Sequence, residues 1–125
     1  MELPKEYFFT KDHEWTSGDS GVVTVGLSSF AIEQLGDIVH LELPQVGDTF
    51  AKGDAFGTVE STKTVSDIYV TGTGVVKEVN EKLLDAPESL ADSPYDNWLI
   101  KFELTEKADS LLTSEQYQDY LKESH

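Results

Sequence analysis

The chain has 125 residues, enough for one domain with a hydrophobic core, and we predict a single domain over residues 1–125. It carries 24 acidic residues against nine basic ones, all lysine, and the formal net charge of −15 predicts that it binds neither nucleic acid nor an anionic membrane. The absence of cysteine excludes disulfides, zinc–cysteine sites and thiol catalysis.

The N-terminal segment has no targeting features. Residues 1–6 show neither a basic region followed by an apolar run nor an arginine-rich amphipathic leader. No apolar run in the chain approaches the length of a transmembrane helix. We therefore expect a bacterial-type cytoplasmic protein that begins at Met1 without a signal or transit peptide.

Two strands are predicted near the start of the chain. Tyr7–Thr10 and Gly21–Gly26 are rich in aromatic and β-branched residues. Between them lies the tripeptide His13–Trp15, which by itself fits a strand edge with a packed indole ring.

A short helix and another strand are predicted next. Ser28 or Ser29 can cap a helix that runs through Leu35, and Gly36 can end it. Asp37–Pro44 then alternates apolar and polar residues, as a half-buried strand does.

A β-hairpin is predicted over residues 56–70. Phe56–Ser61 and Thr64–Val70 have strand composition, with Lys63 at the turn between them. The Thr62-Lys63 pair is a poor primed turn, because neither residue enters positive φ cheaply. A lysine at such a tip is either a solvated charge or an attachment site, where its amine is joined through an amide to a carboxylated cofactor. The residues alone leave both interpretations open.

The second half of the chain continues as strands and ends in a helix. Gly21–Val23 and Gly74–Val76 both open apolar strands on either side of the hairpin, a weak repeat that fits two quasi-equivalent sheets. Asn80 can cap a single helical turn, residues 85–94 are a predicted loop, and Trp98–Leu104 is the predicted last strand.

The C-terminal segment predicts a helix that packs on the sheets. Thr113–Gln116 fits a capping box. Tyr117, Tyr120 and Leu121 follow at helical spacing, which would put the three side chains on one face.

Nothing in the sequence indicates a catalytic or metal site. The three histidines, His13, His40 and His125, are scattered and match no metal-ligand spacing. No nucleophile elbow, Walker loop or dinucleotide fingerprint is present, and no pair of acids is marked out for acid–base chemistry. We therefore predict a protein that is not itself an enzyme.

Three stretches resemble the glycine cleavage system H protein family. They are His13–Trp15, Leu35–Pro44 and Val59–Tyr69. The third stretch contains Lys63. The resemblance extends from Tyr7 to Leu121.

Two related classes of carrier fit the sequence less well. Biotin carriers place their lysine between methionines, and the only methionine here is Met1. Lipoyl domains of 2-oxoacid dehydrogenases are shorter, and they lack both the run around Lys63 and a C-terminal helix.

One departure from the H protein family is Asn97, where the family usually has glycine. Because asparagine tolerates a left-handed backbone, we expect the turn to be kept.

The resemblance implies a fold, a cofactor and a set of partners. The fold is mainly β, a flattened lipoyl/biotinyl-type barrel-sandwich hybrid of two small antiparallel sheets, with short helices and a C-terminal helix. Lipoate would be attached at Lys63 by a lipoate ligase or an octanoyl transferase. The implied protein is a monomeric, non-catalytic lipoyl carrier. It would take the aminomethyl group of glycine from the glycine decarboxylase (P protein) to the aminomethyltransferase (T protein), and electrons to dihydrolipoyl dehydrogenase (L protein).

The resemblance also implies a cleft that shelters the loaded arm. Two carboxylates would hold its cationic amine, two leucines would form an apolar wall, and a glutamine would stand where the family can have histidine. These residues are Glu14, Asp67, Leu27, Leu35 and Gln34.

Glu60 lies three residues before the lysine, and we predict that it helps to present Lys63 to the lipoylating enzyme. The alternative is that Glu60 and Asp67 only solvate the edge of a strand.

Two other functions use the same lysine. A lipoyl donor would pass its lipoyl group to 2-oxoacid dehydrogenase subunits, and a plain binding module would leave Lys63 unmodified. The sequence does not separate these functions from the carrier role.

Overall fold

The computed structural model describes residues 3–108 and 110–124. Across these residues the chain forms two antiparallel sheets, of seven and three strands, and three α-helices. His125, one of the three scattered histidines, lies outside the described residues, as does Met1. In the described ranges, no helix is both long and apolar enough to cross a membrane.

The elements are numbered in chain order. The strands are β1 (Phe8–Phe9), β2 (Glu14–Thr16), β3 (Val22–Leu27), β4 (Ile38–Glu42), β5 (Thr49–Phe50), β6 (Ala55–Ser61), β7 (Val65–Tyr69), β8 (Gly74–Val79), β9 (Ile100–Leu104) and β10 (Leu112–Thr113). The helices are α1 (Ser29–Leu35), α2 (Lys82–Asp85) and α3 (Ser114–Ser124), with one stretch of 3₁₀ helix at Pro87–Ala91.

The strand order makes two open sheets. The larger sheet runs β10-β1-β2-β3-β9-β8-β5 and the smaller one runs β4-β6-β7. Since β10 and β5 are the two ends of the larger sheet, the fold is not a closed barrel. The prediction of a mainly β fold with two antiparallel sheets and a C-terminal helix is confirmed.

The two sheets are not equivalent halves, so that part of the prediction is wrong. The strands opened by Gly21–Val23 and Gly74–Val76 are β3 and β8, and both pair with β9 in the larger sheet. Their similarity follows from their shared position, because both bury apolar side chains beside the fully buried Ile100 and Phe102 of β9.

The main core lies between the sheets. Every second side chain along a strand points into this core. In β9, for example, Ile100, Phe102 and Leu104 are buried and the two residues between them are not. Five strands contribute fully buried side chains to this core, namely Val23, Val25, Val59, Ile68, Val76, Ile100 and Phe102.

A second apolar cluster packs α3 on the larger sheet. The Phe9 and Tyr117 rings stack with centroids 4.6 Å apart, and Trp15 is buried beside them. The indole lies so close to Gly26 that a Cβ at that position would come within 2.6 Å of the indole nitrogen. Glycine at residue 26 is therefore what allows Trp15 to pack flat against β3.

The predicted caps of α1 and α3 are confirmed. The Ala31 N–H donates to the Ser28 hydroxyl at 3.2 Å, so Ser28 caps α1. At α3, the Thr113 N–H donates to Gln116 Oε1 at 2.9 Å and the Gln116 N–H donates to Thr113 Oγ1 at 3.2 Å. These two bonds are the reciprocal pair of a capping box.

Two asparagines act differently from the prediction. Asn80 does not cap α2, whose N-cap residue is Glu81. Instead the Asn80 side chain donates to the Trp98 carbonyl at 2.8 Å and so extends the pairing of β8 with the chain before β9. Asn97 is not among the described residues with positive φ; its side chain donates to the Ser89 carbonyl at 2.7 Å and closes the turn that way.

The strand that begins at Ile100 is not the last one. β10 follows it and pairs with β1. A strand of two residues is too short to show a period, so no sequence pattern could reveal it. The segment 85–94, predicted as a loop, is not entirely irregular, because it contains the 3₁₀ helix at Pro87–Ala91.

Candidate functional site

Lys63 lies at the tip of the β6–β7 hairpin, as the sequence predicts. The Ser61 N–H donates to the Thr64 carbonyl at 2.8 Å, which closes the turn. The buried Ser61 hydroxyl accepts from the Lys63 and Thr64 N–H groups, each at 3.2 Å. This hydroxyl organises the tip without positive φ at either Thr62 or Lys63, which explains how a poor primed-turn pair is accommodated.

The tip is also joined to the turn after α1. The Thr62 N–H donates to the Asp37 carbonyl at 3.0 Å. Beside it, Gly36 has φ +79°, and a Cβ there would lie 3.4 Å from Lys63 Cε. The Lys63 stem therefore runs over a glycine, and among the described residues its ammonium has no hydrogen bond or ion pair.

Glu60 and Asp67 lie on one exposed face of the three-stranded sheet. Glu60 opposes Val65, and Asp67 opposes Thr58. Because residues two apart in a strand share a face, both carboxylates point to the same side of the hairpin. Both side chains are exposed, and His40 of β4 stands opposite Glu60.

Glu14 is buried in the larger sheet, with 1 % of its surface exposed. The Thr10 hydroxyl donates to Glu14 Oε1 at 2.5 Å, and the Tyr69 N–H donates to Oε2 at 3.3 Å. Burial raises the pKa of Glu14 from its ordinary value of 4.5 to about 7, although the Thr10 bond acts in the opposite direction. A carboxyl group of this kind takes up or releases its proton near neutral pH.

The backbone beside Glu14 is held by contacts with distant parts of the chain. His13 has φ +72°, a conformation uncommon for a residue other than glycine. Its Nδ1 is 2.7 Å from the Tyr117 hydroxyl, which is 2.8 Å from the Ser28 hydroxyl that caps α1. Burial raises the pKa of Tyr117 above its ordinary value, so this hydroxyl keeps its proton and can bridge the two groups.

Glu14 lines a cavity of about 630 Å³. Residues from β2, the end of β7, the loop after β7 and the segment before β10 surround it. The lining includes Thr10, Glu14, Tyr69, Thr71, Leu111 and Gln116.

The other four residues of the predicted arm cleft do not line this cavity. Leu27 opposes Glu14 across β2 and β3, and both Leu27 and Leu35 are buried in the main core. Gln34 is exposed on α1, and Asp67 lies two residues before Tyr69 on the exposed face of β7. The structure thus brings Glu14 beside β7 and the Lys63 stem beside the end of α1.

The sequence did not indicate Thr71. It lines the cavity, is 5 % exposed, and its hydroxyl is the one buried side-chain polar atom without a hydrogen-bond partner in the described part of the chain. A threonine among β-branched residues reads as a strand residue, so no local signal could have distinguished it.

The sequence and the fold both match known proteins. The family model described as glycine cleavage H-protein matches residues 7–124. A glycine cleavage system H protein from Listeria monocytogenes serotype 4b (strain CLIP80459) is 51 % identical over 124 residues, covering 97 % of this chain and 99 % of that protein. The H protein of Staphylococcus haemolyticus (strain JCSC1435) is 44 % identical, covering 98 % of this chain and all of that protein.

A solved structure agrees with these relatives. The crystal structure of a glycine cleavage system H protein from Mycobacterium marinum superposes with a TM-score of 0.90 at 38 % identity, and the match covers 96 % of this chain and 99 % of that one. The chain therefore belongs to the glycine cleavage H-protein family.

Proposed function

We propose that this chain is the lipoyl carrier of a glycine cleavage system, with lipoate joined by an amide to Lys63. Membership of the H-protein family is the observation that carries the proposal. The geometry of Lys63 supports it, because an attachment lysine must be exposed on a stiff turn and its amine must be free to react. Lys63 is exposed, its turn is closed by Ser61, and no described residue pairs with its ammonium.

The residues around Lys63 fit an attached arm. Gly36 leaves open the space along the lysine stem that a larger side chain would fill. When bound, lipoate supplies a disulfide that accepts electrons and a sulfur that carries a one-carbon unit. The protein supplies orientation and shelter for that chemistry.

In this role the chain takes the aminomethyl group of glycine from the glycine decarboxylase to the aminomethyltransferase. It also passes electrons to dihydrolipoyl dehydrogenase. A lipoate ligase or octanoyl transferase modifies Lys63, and Glu60, on the same hairpin, helps to present the lysine to that enzyme. The chain acts as a monomer and does no chemistry of its own.

Shelter of the carried amine is the second part of the proposal. Glu14 provides a carboxylate with little access to water, which holds an ammonium group more strongly than a solvated carboxylate does. The shelter proposed here rests on Glu14 alone, because the other residues of the implied cleft do not line its cavity. These residues are Leu27, Gln34, Leu35 and Asp67.

Lys63→Arg tests the attachment site. The parent, expressed with a lipoylating enzyme, is expected to gain one lipoyl group, which lowers the formal net charge of −15 by one. Lys63→Arg should fold but stay unmodified and inactive in glycine decarboxylase exchange. Lys82→Arg, a change at another exposed lysine, is the matched control and should behave as the parent. Modification of Lys63→Arg, or activity that survives in it, would refute the assignment.

The same variants distinguish carrier from donor in the native host. Lys63→Arg should abolish glycine oxidation if the chain is the carrier. If glycine oxidation is unchanged while 2-oxoacid dehydrogenase subunits lose their lipoyl groups, the chain is a donor instead.

Glu14→Ala tests shelter. The variant should keep its fold and its lipoyl group but release ammonia faster from the loaded carrier when no transferase is present. Loss of a charge-assisted hydrogen bond corresponds to about 1.5–3 kcal/mol. Equal release rates in the variant and the parent would mean that Glu14 is only structural.

A further inference from the structure

The three residues at the tip of the β6–β7 hairpin are exposed, yet the protein bonds the backbone N–H of each one. The Thr62 N–H donates to the Asp37 carbonyl at 3.0 Å. The Lys63 and Thr64 N–H groups both donate to the Ser61 hydroxyl oxygen, each at 3.2 Å. Water can satisfy N–H groups at so exposed a tip, so their burial does not explain these bonds. The bonds do fix the backbone at the point from which Lys63 projects.

Ser61 is the residue that two of these bonds share. It is the last residue of β6, the central strand of the smaller sheet, and its backbone opposes Ile38 of β4. Only 6 % of its surface is exposed. Its hydroxyl also lies 3.4 Å from the Thr64 carbonyl, to which it donates. The one donor and the two lone pairs of the hydroxyl are therefore all used, and they join the end of a paired strand to the tip.

The side chain of Lys63 is held differently from its backbone. Its ammonium group has no hydrogen bond or ion pair with the described residues. Lys63 therefore combines a fixed backbone with an amine that no protein group occupies. The fixed backbone limits the directions in which the side chain leaves the surface, whereas the free amine stays available to react.

We propose that Ser61 is a positioning residue for the attachment of lipoate, whose hydroxyl holds the hairpin tip in the conformation that the lipoylating enzyme binds. We base this on the proposed function, in which Lys63 is the attachment lysine. The Lys63 amine has to reach an activated carboxyl carbon inside that enzyme. A tip that is already ordered avoids the entropic cost of ordering it in the complex. Ser61 acts through the backbone of Lys63 and does not touch the reacting atoms.

Ser61→Ala tests this role in the kinetics of lipoylation by a purified lipoylating enzyme. The change removes the hydroxyl and leaves the Lys63 and Thr64 N–H groups without their protein partner. An enzyme that binds only the ordered tip loses apparent affinity in proportion to the fraction of molecules that are ordered. The KM for the carrier should therefore rise roughly five- to tenfold, as expected for the loss of one hydrogen bond. The kcat should stay near the parent value, because the tip is ordered once it is bound.

The alternative is that Ser61 only stabilises the fold. Ser61→Ala would then unfold at a lower urea concentration but be modified with the parent's KM under conditions in which both proteins are folded. The order of the tip is measured separately, by ¹⁵N relaxation of the Lys63 and Thr64 N–H groups in the unmodified full chain. The order parameters should be about 0.85 in the parent, as in rigid backbone, and should fall toward about 0.6 in Ser61→Ala.

Two further variants and a chemical probe complete the test. Ser61→Thr keeps a hydroxyl and should restore both the order of the tip and the KM. Ser66→Ala is the matched control, because it removes a serine hydroxyl from β7 of the same hairpin and no hydrogen bond joins that hydroxyl to another described residue. It should behave as the parent. Acetic anhydride, which needs no docking surface, should acetylate Lys63 at the same rate in all four proteins.

Several results would overturn the role of Ser61. They are an unchanged KM in Ser61→Ala, a tip in that variant as ordered as in the parent, recovery of order without recovery of KM in Ser61→Thr, and slower acetylation of Lys63 in Ser61→Ala. A Ser61→Ala chain that does not fold would show that the fold itself needs the hydroxyl, and would overturn the role too.

The parent separates this inference from the proposed function. If the parent is lipoylated at Lys63 and Ser61→Ala keeps the parent's KM, only the role of Ser61 is overturned. If the parent stays unmodified, or is modified at another lysine, the attachment site is wrong and the role of Ser61 fails with it.

Discussion

Glu14→Gln provides a direct test of the buried carboxyl group. Burial raises the pKa of Glu14 from 4.5 to about 7. Between pH 4.5 and about pH 7, Glu14 therefore keeps its proton in the folded state and loses it in the unfolded state. The stabilisation that this proton provides is complete below about pH 4.5 and is lost as the pH rises through 7. At roughly 1.4 kcal/mol per pH unit, the full effect is about 3 kcal/mol.

The amide of Glu14→Gln cannot ionise, so the variant should lack this dependence. Its oxygen can still accept from the Tyr69 N–H, and its NH₂ can donate to the Thr10 hydroxyl, as the protonated parent carboxyl would. The variant therefore keeps the local hydrogen bonds while losing the titration.

The assay is urea unfolding of both proteins from about pH 5 to about pH 8. The free energy of unfolding of Glu14→Gln minus that of the parent should rise by about 2–3 kcal/mol over this range and then level off. Glu60→Gln, at an exposed position of β6, is the control and should show a nearly constant difference. A constant difference for Glu14→Gln as well would refute the claim that burial controls this carboxyl group.

Two further predictions concern the hairpin and the aromatic cluster. Glu60→Ala should be lipoylated more slowly than the parent when intact mass is followed over time with a purified lipoylating enzyme; equal rates would mean that Glu60 only solvates the strand. Tyr117→Phe should lose about 1–3 kcal/mol of stability in urea unfolding, because it removes the hydroxyl that bridges His13 and Ser28 inside the protein. Tyr120→Phe removes a more exposed hydroxyl on the same helix and should cost much less, and similar losses in the two variants would contradict the bridging role.

The sequence alone determined the features that depend on residues close together in the chain. The composition of residues 56–70 predicted the hairpin and the position of Lys63 at its tip. The Ser28 cap of α1 and the capping box at Thr113–Gln116 were also predictable, because each joins groups three residues apart. The family resemblance rests on the same local runs, and the comparisons agree with it.

Only the tertiary structure decided the features that depend on distant residues. The burial of Glu14 depends on its contact with Tyr69, 55 residues away, and the strained backbone of His13 is supported by Tyr117, 104 residues away. Asn80 has the residue type of a cap, but the pairing of β8 with the chain before β9 gives its side chain a carbonyl to bond instead. Thr71 carries no local sign that its buried hydroxyl lacks a partner among the described residues, because whether a hydroxyl finds a partner depends on which strands meet around it. Local hydrogen bonds follow from short spacings in the sequence, whereas burial and unpaired polar groups follow from how the sheets pack.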